Sequence, residues 1–439
     1  MVFRTFSHGI HPPEAKHTAT LPIQRFPFPP NLVMLLAPNI GKASRPIVRE
    51  GQEVLRGQKI AEVQGMMSVP VHAPATGIVT RIGESLNMDG VMAPAIILQP
   101  YPGSDQSIQV ETPVDVDSLT PAQIIQGIQE IGMVGLGGAA FHTHVKYSPP
   151  SGKKVHTLVL NGCECEPYMT ADHRVMLEQA QDVVTGSRLI AKATGVEKIV
   201  IAVESNKMDA VETLKKAIGN DPRFSVETLQ TKYPQGAEKM ITRALFGMDI
   251  PTRGLPADIG LIISNVTTVA EIGRLLPKGR GVIERVITLA GEGIDRPGNY
   301  IIPIGTPLNF MLDEVGFNDK ARQVVLGGPM MGKGVAFLET PVTKGITGII
   351  VLSEREMRQL GHHVQPCIQC GECVRACPIH LNPSKLGRLA QKERYEDMAA
   401  EFNLGDCFEC GSCSYVCPSH IPLVHLFRVA KKVNRARSN

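Results

Sequence analysis

The stretch CIQCGECVRACP at residues 367–378 returns at residues 407–418 as CFECGSCSYVCP. The two copies hold eight of the chain's ten cysteines, in the spacing C-x2-C-x2-C-x3-C followed by proline. This spacing is typical of a pair of cubane iron–sulfur clusters, in which three thiolates of a run bind one cluster and the fourth binds the other. The sequence therefore predicts two [4Fe-4S] clusters and a role in electron transfer.

The interlocked arrangement assigns the ligands of each predicted cluster. One set is Cys367, Cys370, Cys373 and Cys417, and the other is Cys407, Cys410, Cys413 and Cys377. Such ligation would hold the clusters close enough for electrons to pass between them. A pair of zinc sites is the alternative, but zinc sites usually combine C-x2-C couples that a longer loop separates.

Composition indicates a multi-domain chain. At about 150 residues per domain, 439 residues suggest about three domains. The opening residues lack the apolar core of a signal peptide, and no run of about 18 apolar residues could span a bilayer. We therefore expect no transmembrane segment. Because the cysteines fall in metal-type motifs and no secretory signal is seen, we also expect a reducing compartment. The net charge of +3 is too small to indicate nucleic-acid binding.

Local patterns divide the chain into four predicted domains. Short strands with regular glycine and proline predict a small β barrel-sandwich early in the chain, and alternating strands and helices then predict a parallel α/β sheet. A compact α+β unit and a helical double-cluster ferredoxin domain follow. The predicted domain ranges are 1–110, 118–275, 281–335 and 360–439.

A glycine-rich loop, GMVGLGGAA at residues 132–140, contains the dinucleotide fingerprint GxGxxA. A Rossmann fingerprint follows a strand, whereas here a helical pattern comes first, so a Rossmann site is disfavoured. Several glycines still leave backbone N–H groups open to a phosphate or a planar ring, and Lys146 could supply a countercharge. An ordinary surface loop is the alternative.

Family resemblance sharpens these expectations. Residues 46–83 resemble the biotinyl/lipoyl family, with Met67 where that family carries its modified lysine, so a docking or structural barrel is favoured over a carrier. GLGGAAFHTHVKY (135–147), VLNGCECEPYMTADHR (159–174) and IISNVTTVAEIGR (262–274) resemble the flavin-binding motifs of the complex I 51-kDa subunit. With the SLBB-like β-grasp unit and the cysteine runs, the order of domains resembles the C-subunit family of Rnf electron-transport complexes.

The resemblance implies a role for particular residues. Gly135, Gly137 and Gly138 would face the FMN ring and phosphate, Lys146 an anionic part of the cofactor, Asn161 and Glu164 the isoalloxazine edge or ribityl chain, and Asn265 and Thr268 the FMN phosphate. Glu166 would lie where NADH docks and is the predicted catalytic residue. KYPQGAEKM at residues 232–240 is loosely similar to a further loop of the complex I family.

The resemblance also implies a function. The chain would be a peripheral subunit, at the cytoplasmic face of the bacterial inner membrane, of an ion-translocating ferredoxin:NAD oxidoreductase. It would pass electrons between NAD(H), FMN, two [4Fe-4S] clusters and other membrane subunits, with ferredoxin reached through a partner. The alternatives are a cobalamin reductase of bacterial microcompartments and a flavin-free cluster relay.

Overall fold

The computed structural model of the protein describes residues 3–37, 41–150, 152–358 and 363–438. Its strands are β1 (Ile23–Arg25), β2 (Leu32–Leu35), β3 (Arg45–Pro46), β4 (Glu53–Val54), β5 (Lys59–Glu62), β6 (Val71–His72), β7 (Gly77–Leu86), β8 (Met92–Pro100), β9 (Thr157–Gly162), β10 (Lys198–Glu204), β11 (Phe224–Leu229), β12 (Leu261–Asn265), β13 (Glu284–Ala290), β14 (Gly298–Pro303), β15 (Ala321–Leu326), β16 (Lys333–Gly334) and β17 (Gly348–Ser353). Its α-helices are α1 (Pro121–Glu130), α2 (Thr143–Lys146), α3 (Ala171–Glu178), α4 (Ala180–Thr194), α5 (Met208–Ile218), α6 (Glu238–Phe246), α7 (Val266–Leu275), α8 (Leu308–Val315), α9 (Glu354–Arg358), α10 (Glu372–Ala376), α11 (Pro383–Gln391), α12 (Tyr395–Ala400), α13 (Ser412–Tyr415) and α14 (Leu423–Ser438).

The barrel-sandwich consists of two antiparallel sheets, β2-β8-β7-β4 and β3-β5-β6. Its apolar side chains meet between the sheets, with Ile60 and Ile96 fully buried. The turn that carries the modified lysine in lipoyl proteins packs here on the next domain, because the carbonyl of Met66 accepts a hydrogen bond from the His144 ring at 2.9 Å. The turn is therefore part of the contact between the barrel-sandwich and the α/β domain.

The α/β domain contains a fully parallel sheet in the order β11-β10-β9-β12. Successive residues of its central strand point to opposite faces: Leu158 packs with the helices α4 and α7, and Val159 packs on the other face with α6. Helices α4 and α7 approach closely, since a Cβ added at Gly186 would lie 1.9 Å from the carbonyl oxygen of Val269. Both faces of the sheet are covered, as the sequence predicts.

The β-grasp domain has a six-stranded mixed sheet in the order β1-β14-β13-β17-β15-β16, with α8 packed on it. Strand β1 pairs in parallel with β14, and β17 pairs in parallel with β13. Both of these strands lie outside the predicted range 281–335. The sequence of a short strand does not indicate which distant strand it will pair with, so the sheet that it joins was not predicted.

The last domain is built from short helices around a small core that includes Leu386, Met398 and Phe427. The region between the two cysteine runs forms α11 and α12. Residues 1, 360 and 439, which bound predicted domains, lie outside the described residues. Within the described ranges, no helix combines the length and the apolar character needed to cross a bilayer.

Candidate functional site

Two asparagines lie at the carboxyl ends of neighbouring strands in the parallel sheet. Asn161 in β9 and Asn265 in β12 are register partners. In open α/β sheets, ligands bind in the crevice beyond the carboxyl ends of the strands. The glycine loop reaches this edge, because a Cβ added at Gly137 would lie 3.0 Å from the Cβ of Asn265. The predicted flavin residues of three separate motifs therefore meet here.

The glycine loop is fixed against the first turn of α7. Asn265 caps this helix, because its Oδ1 atom accepts the Thr268 N–H at 3.1 Å. The Thr268 hydroxyl in turn accepts the Leu136 N–H at 2.8 Å. The buried guanidinium of Arg285 donates to the Leu136 carbonyl at 3.0 Å. These contacts hold the loop in place without covering its outer surface.

That outer surface fits a phosphate-bearing planar ligand. Gly137 and Gly138 are exposed, and Gly138 has a φ of +112°, which favours glycine. Among the described residues, neither of their N–H groups has a protein acceptor. The N-terminus of α7 adds a positive dipole end beside them. A Cβ at Gly137 would crowd Asn265, whereas a Cβ at Gly138 would meet no atom within 4 Å, so the surface beside Gly138 is open.

Lys146 lies at the same edge, in α2. Its ammonium donates to the Glu238 carboxylate at 2.7 Å and to the Ile263 carbonyl at 2.6 Å. Both side chains of this ion pair are about a third to two fifths exposed. The predicted countercharge is therefore held beside β12 by Glu238, which lies in the segment KYPQGAEKM but is not one of the predicted site residues.

Asn161 and Glu164 each bind backbone groups. The Asn161 Nδ2 atom donates to the Gly236 carbonyl at 2.8 Å. The Glu164 carboxylate is buried and accepts the N–H groups of Asp172 and His173, at 2.9 and 3.3 Å, in the first turn of α3. Burial raises the pKa of Glu164. The structure thus places Glu164 as a helix-capping carboxylate, and its predicted contact with flavin stays a prediction.

Glu166 is bound by the loop that follows β15. Its carboxylate accepts the N–H groups of Met330 and Met331 at 2.9 and 2.8 Å. A Cβ added at Gly328 would lie 2.4 Å from the Glu166 Oε2 atom, so only glycine allows this approach. Burial raises the pKa of Glu166 to about 7. The predicted NADH-docking residue therefore lies between the α/β and β-grasp domains.

Sequence reasoning missed two residues that organise this region. The Lys16 ammonium, from the N-terminal segment, donates to the carbonyls of Glu164, Glu166 and Met169 at 2.7, 2.8 and 2.5 Å. Asp172 accepts from Asn265 Nδ2 at 2.7 Å and therefore links α3 to the glycine edge. An acid in the first turn of a helix that follows the NGCECEP motif was a usable signal for Asp172, whereas no local pattern indicates Lys16.

The eight motif cysteines form two groups in space. Burial, followed by the neighbouring thiols of Cys417, Cys370 and Cys367, raises the pKa of Cys373. Burial also raises the pKa of Cys407 to about 11, and Cys410 and Cys377 are its cysteine neighbours. One group lines a shared cavity and is called the outer set: Cys367, Cys370, Cys373 and Cys417. The other is called the inner set, Cys377, Cys407, Cys410 and Cys413, and its Cys413 also lies near Cys373. That each set binds one cluster stays a prediction.

The outer set surrounds an open cavity and includes two exposed cysteines, Cys367 and Cys370. In the described parts of the chain, no three His, Cys, Asp or Glu side chains are close enough to share one metal ion. A zinc site needs its sulfurs at about 2.3 Å from a single ion, whereas each thiolate around a cubane cluster binds a different iron. The four thiols that line this cavity are the predicted ligands of one cluster.

Family models match the chain in the order of its domains. They are the RnfC barrel sandwich hybrid domain at residues 4–101, the Nuo51 FMN-binding domain at 128–274, the SLBB domain at 286–333 and the 4Fe-4S dicluster domain at 360–418. These matches confirm the predicted fold class, FMN as a cofactor and the pair of [4Fe-4S] clusters.

Curated relatives match most of the chain. The C subunit of the proton-translocating ferredoxin:NAD(+) oxidoreductase complex of Clostridium ljungdahlii is 39% identical over 408 residues, which cover 92% of this chain and 88% of the relative. The chain belongs to the family of Rnf C subunits. The corresponding Na(+)-translocating protein of Acetobacterium woodii is 40% identical over 89% of this chain and 88% of its own. The C subunit of the ion-translocating oxidoreductase complex of Rhodobacter capsulatus is 36% identical over 86% and 73%.

Solved structures support the fold of this Rnf C-subunit family member. NAD+-reducing [NiFe]-hydrogenase matches in its air-oxidized state with a TM-score of 0.51 and 18% identity, over 65% of this chain and 57% of the hydrogenase chain. The H2-reduced state matches with a TM-score of 0.50, over 73% and 64%. The chain thus spans less than two thirds of each hydrogenase chain, and the likeness concerns the fold.

Proposed function

We propose that the chain is a peripheral subunit of a membrane-bound, ion-translocating ferredoxin:NAD oxidoreductase complex. It passes electrons between NAD(H), FMN and two [4Fe-4S] clusters, and on to partner subunits at the cytoplasmic face of the membrane. The observation that carries this proposal is that one chain combines two features. They are the open surface at Gly137 and Gly138, which we call the glycine cradle, and the outer and inner cysteine sets. Ferredoxin exchanges electrons with the chain through a partner.

The residues at the carboxyl edge of the sheet hold the flavin. The N–H groups of Gly137 and Gly138, with the N-terminus of α7, bind its phosphate, and Asn265 and Thr268 keep that surface in shape. Gly135 and Asn161 contact the ring or ribityl chain, and Lys146 supplies positive charge. When bound, FMN exchanges two electrons with NAD(H) as a hydride and exchanges them singly with the clusters.

Glu166 serves the nicotinamide side of the site. It is fixed by two N–H groups of the loop after β15, so its carboxylate keeps one position while a dinucleotide enters. Glu164 acts indirectly. Its carboxylate accepts the Asp172 N–H and so holds the first turn of α3 in place, which keeps the Asp172 side chain on Asn265 at the flavin site. The cysteines of the two sets bind the clusters.

Anaerobic purification followed by a flavin and iron assay tests the proposal. We expect bound FMN, iron for two clusters and bleaching of the cluster absorbance on addition of NADH. Lys146→Ala and Glu166→Ala should reduce NADH oxidation while iron content stays intact. Absence of flavin and of NADH-driven bleaching would instead support a flavin-free relay.

Co-purification from the native organism tests the partner assignment. Membrane-embedded subunits should accompany the chain in detergent. Recovery with shell proteins or a corrinoid enzyme instead would favour the cobalamin reductase alternative.

A further inference from the structure

Contacts between the α/β domain and the cluster domain fall beside the inner set. The hydroxyl of Tyr233 donates to the carbonyl of Cys410, an inner-set cysteine, at 2.6 Å. Lys239 in α6 forms an ion pair at 3.2 Å with Asp406, which directly precedes the inner-set residue Cys407. The inner set therefore faces the flavin-binding domain.

The outer set faces the other way. Its cavity is lined by cluster-domain residues between 367 and 423, including Ile368 and Arg388. Ile368, at the rim of this cavity, is 68% exposed. A cluster bound there lies next to solvent, in a position suited to exchange with another protein, whereas the inner cluster lies against the rest of the chain.

The loop at residues 233–236 connects the carboxyl edge of the parallel sheet, where the flavin is proposed to bind, to the inner set. Asn161 donates to the carbonyl of Gly236, and three residues earlier in the same loop the hydroxyl of Tyr233 reaches Cys410. Tyr233 is 1% exposed, and its N–H and carbonyl both pair with Ile10 at 2.9 Å. Its ring therefore has a fixed position between the two domains.

We propose that Tyr233 is a positioning residue for electron transfer between the flavin and the inner cluster. By holding the Cys410 carbonyl, its hydroxyl sets the distance and the electrostatic surroundings of that cluster. The inner cluster thus exchanges electrons with the flavin, and the outer cluster exchanges them with a partner protein. This inference rests on the proposed function.

The electrons balance in the NADH-driven direction. NADH is oxidised to NAD+ by loss of a hydride, which carries two electrons. Each cluster is reduced by one electron, and the proton goes to solvent. In the opposite direction the same groups reduce NAD+.

Tyr233→Phe in the full-length, anaerobically loaded protein tests the proposal. Without this O–H donor, the negative end of the Cys410 carbonyl dipole is no longer offset beside the inner cluster. This should destabilise the more negative, reduced form of that cluster, so the midpoint potential of the inner cluster alone should become more negative. After rapid mixing with NADH, cluster reduction should be several-fold slower. Cys367→Ser and Cys410→Ser assign the two electron paramagnetic resonance signals to the outer and inner clusters.

Tyr168→Phe is the matched control, because the hydroxyl of Tyr168 donates to Glu356, away from both thiol sets. It should leave both potentials unchanged. For Tyr233→Phe, unchanged potentials and rates, a shift confined to the outer cluster, or loss of flavin or iron would each overturn the inference. If the unsubstituted protein binds flavin but NADH does not bleach its clusters, the proposed function itself fails.

Discussion

The Glu166 carboxylate accepts the backbone N–H of Met330, 164 positions further along the chain, at 2.9 Å. This contact ties the predicted nicotinamide side of the site to the β-grasp domain. Burial raises the pKa of Glu166 to about 7, although the N–H groups of Met330 and Met331 lower it, so we expect the junction between the domains to respond to pH.

We expect Glu166 to lower thermal stability as the pH rises. Its folded pKa lies above the ordinary value of 4.5, so the folded state binds the proton more tightly than the unfolded chain does. The stabilisation is complete below pH about 4.5 and is lost as the pH rises through about 7, with an upper limit of about 3 kcal/mol. The melting temperature of Glu166→Gln should therefore fall less than that of the parent between pH about 5.5 and about 8.

A surface carboxylate provides the control for this pH effect. Glu62→Gln removes an exposed partner of Arg45 in the barrel and should keep the pH profile of the parent. Parallel profiles for the parent and Glu166→Gln would contradict the assignment.

Gly137→Ala should reduce the amount of bound flavin without reducing iron. The added Cβ would lie 3.0 Å from Asn265 and would occupy the surface that the cradle leaves open. Gly103→Ala is the control, because a Cβ there has no atom within 4 Å. Flavin released by acid precipitation and iron measured on the same sample give the ratio. Equal flavin content in both variants would show that the loop does not bind the cofactor.

Lys146→Gln and Glu238→Gln should have unequal effects although they break the same ion pair. An exposed pair of this kind contributes about 0–1 kcal/mol, so neither variant should unfold the domain. If Lys146 provides charge to the bound cofactor, NADH oxidation should fall more in Lys146→Gln than in Glu238→Gln. Steady-state NADH oxidation with an artificial acceptor measures the difference. Equal losses would mean that only the ion pair matters.

Substitution of the fourth cysteine in each run should alter the cluster of the other run. Cys377 lies with Cys407 and Cys410, and Cys417 lies with Cys373. Cys377→Ser should therefore change the same resonance signal as Cys410→Ser. Cys417→Ser should change the signal that Cys370→Ser changes. The opposite pairing would show that each run binds its own cluster.

Short-range patterns predicted much of the fold. The cysteine spacing is a pattern within a dozen neighbouring residues, and it was enough to predict the clusters. The alternation of apolar strands with helices was enough to predict the parallel sheet that presents Asn161 and Asn265. Contacts between distant segments were not predictable in this way. Lys16 meets three carbonyls about 150 positions away, and Tyr233 meets Cys410 across 177 positions. Such pairs depend on how folded domains pack against one another, and the periodic pattern of a short segment does not indicate that packing.

The parallel pairing of β1 with β14 sets an order for events during synthesis. Ile23 cannot meet its partner Asn299 until 276 more residues have been made. At about 5–20 residues per second, the first strand waits for roughly 14–55 s after it is translated. Through that interval its edge-forming backbone groups have no native partner, so the nascent chain should be most vulnerable to aggregation and to chaperone capture before the β-grasp sheet leaves the ribosome.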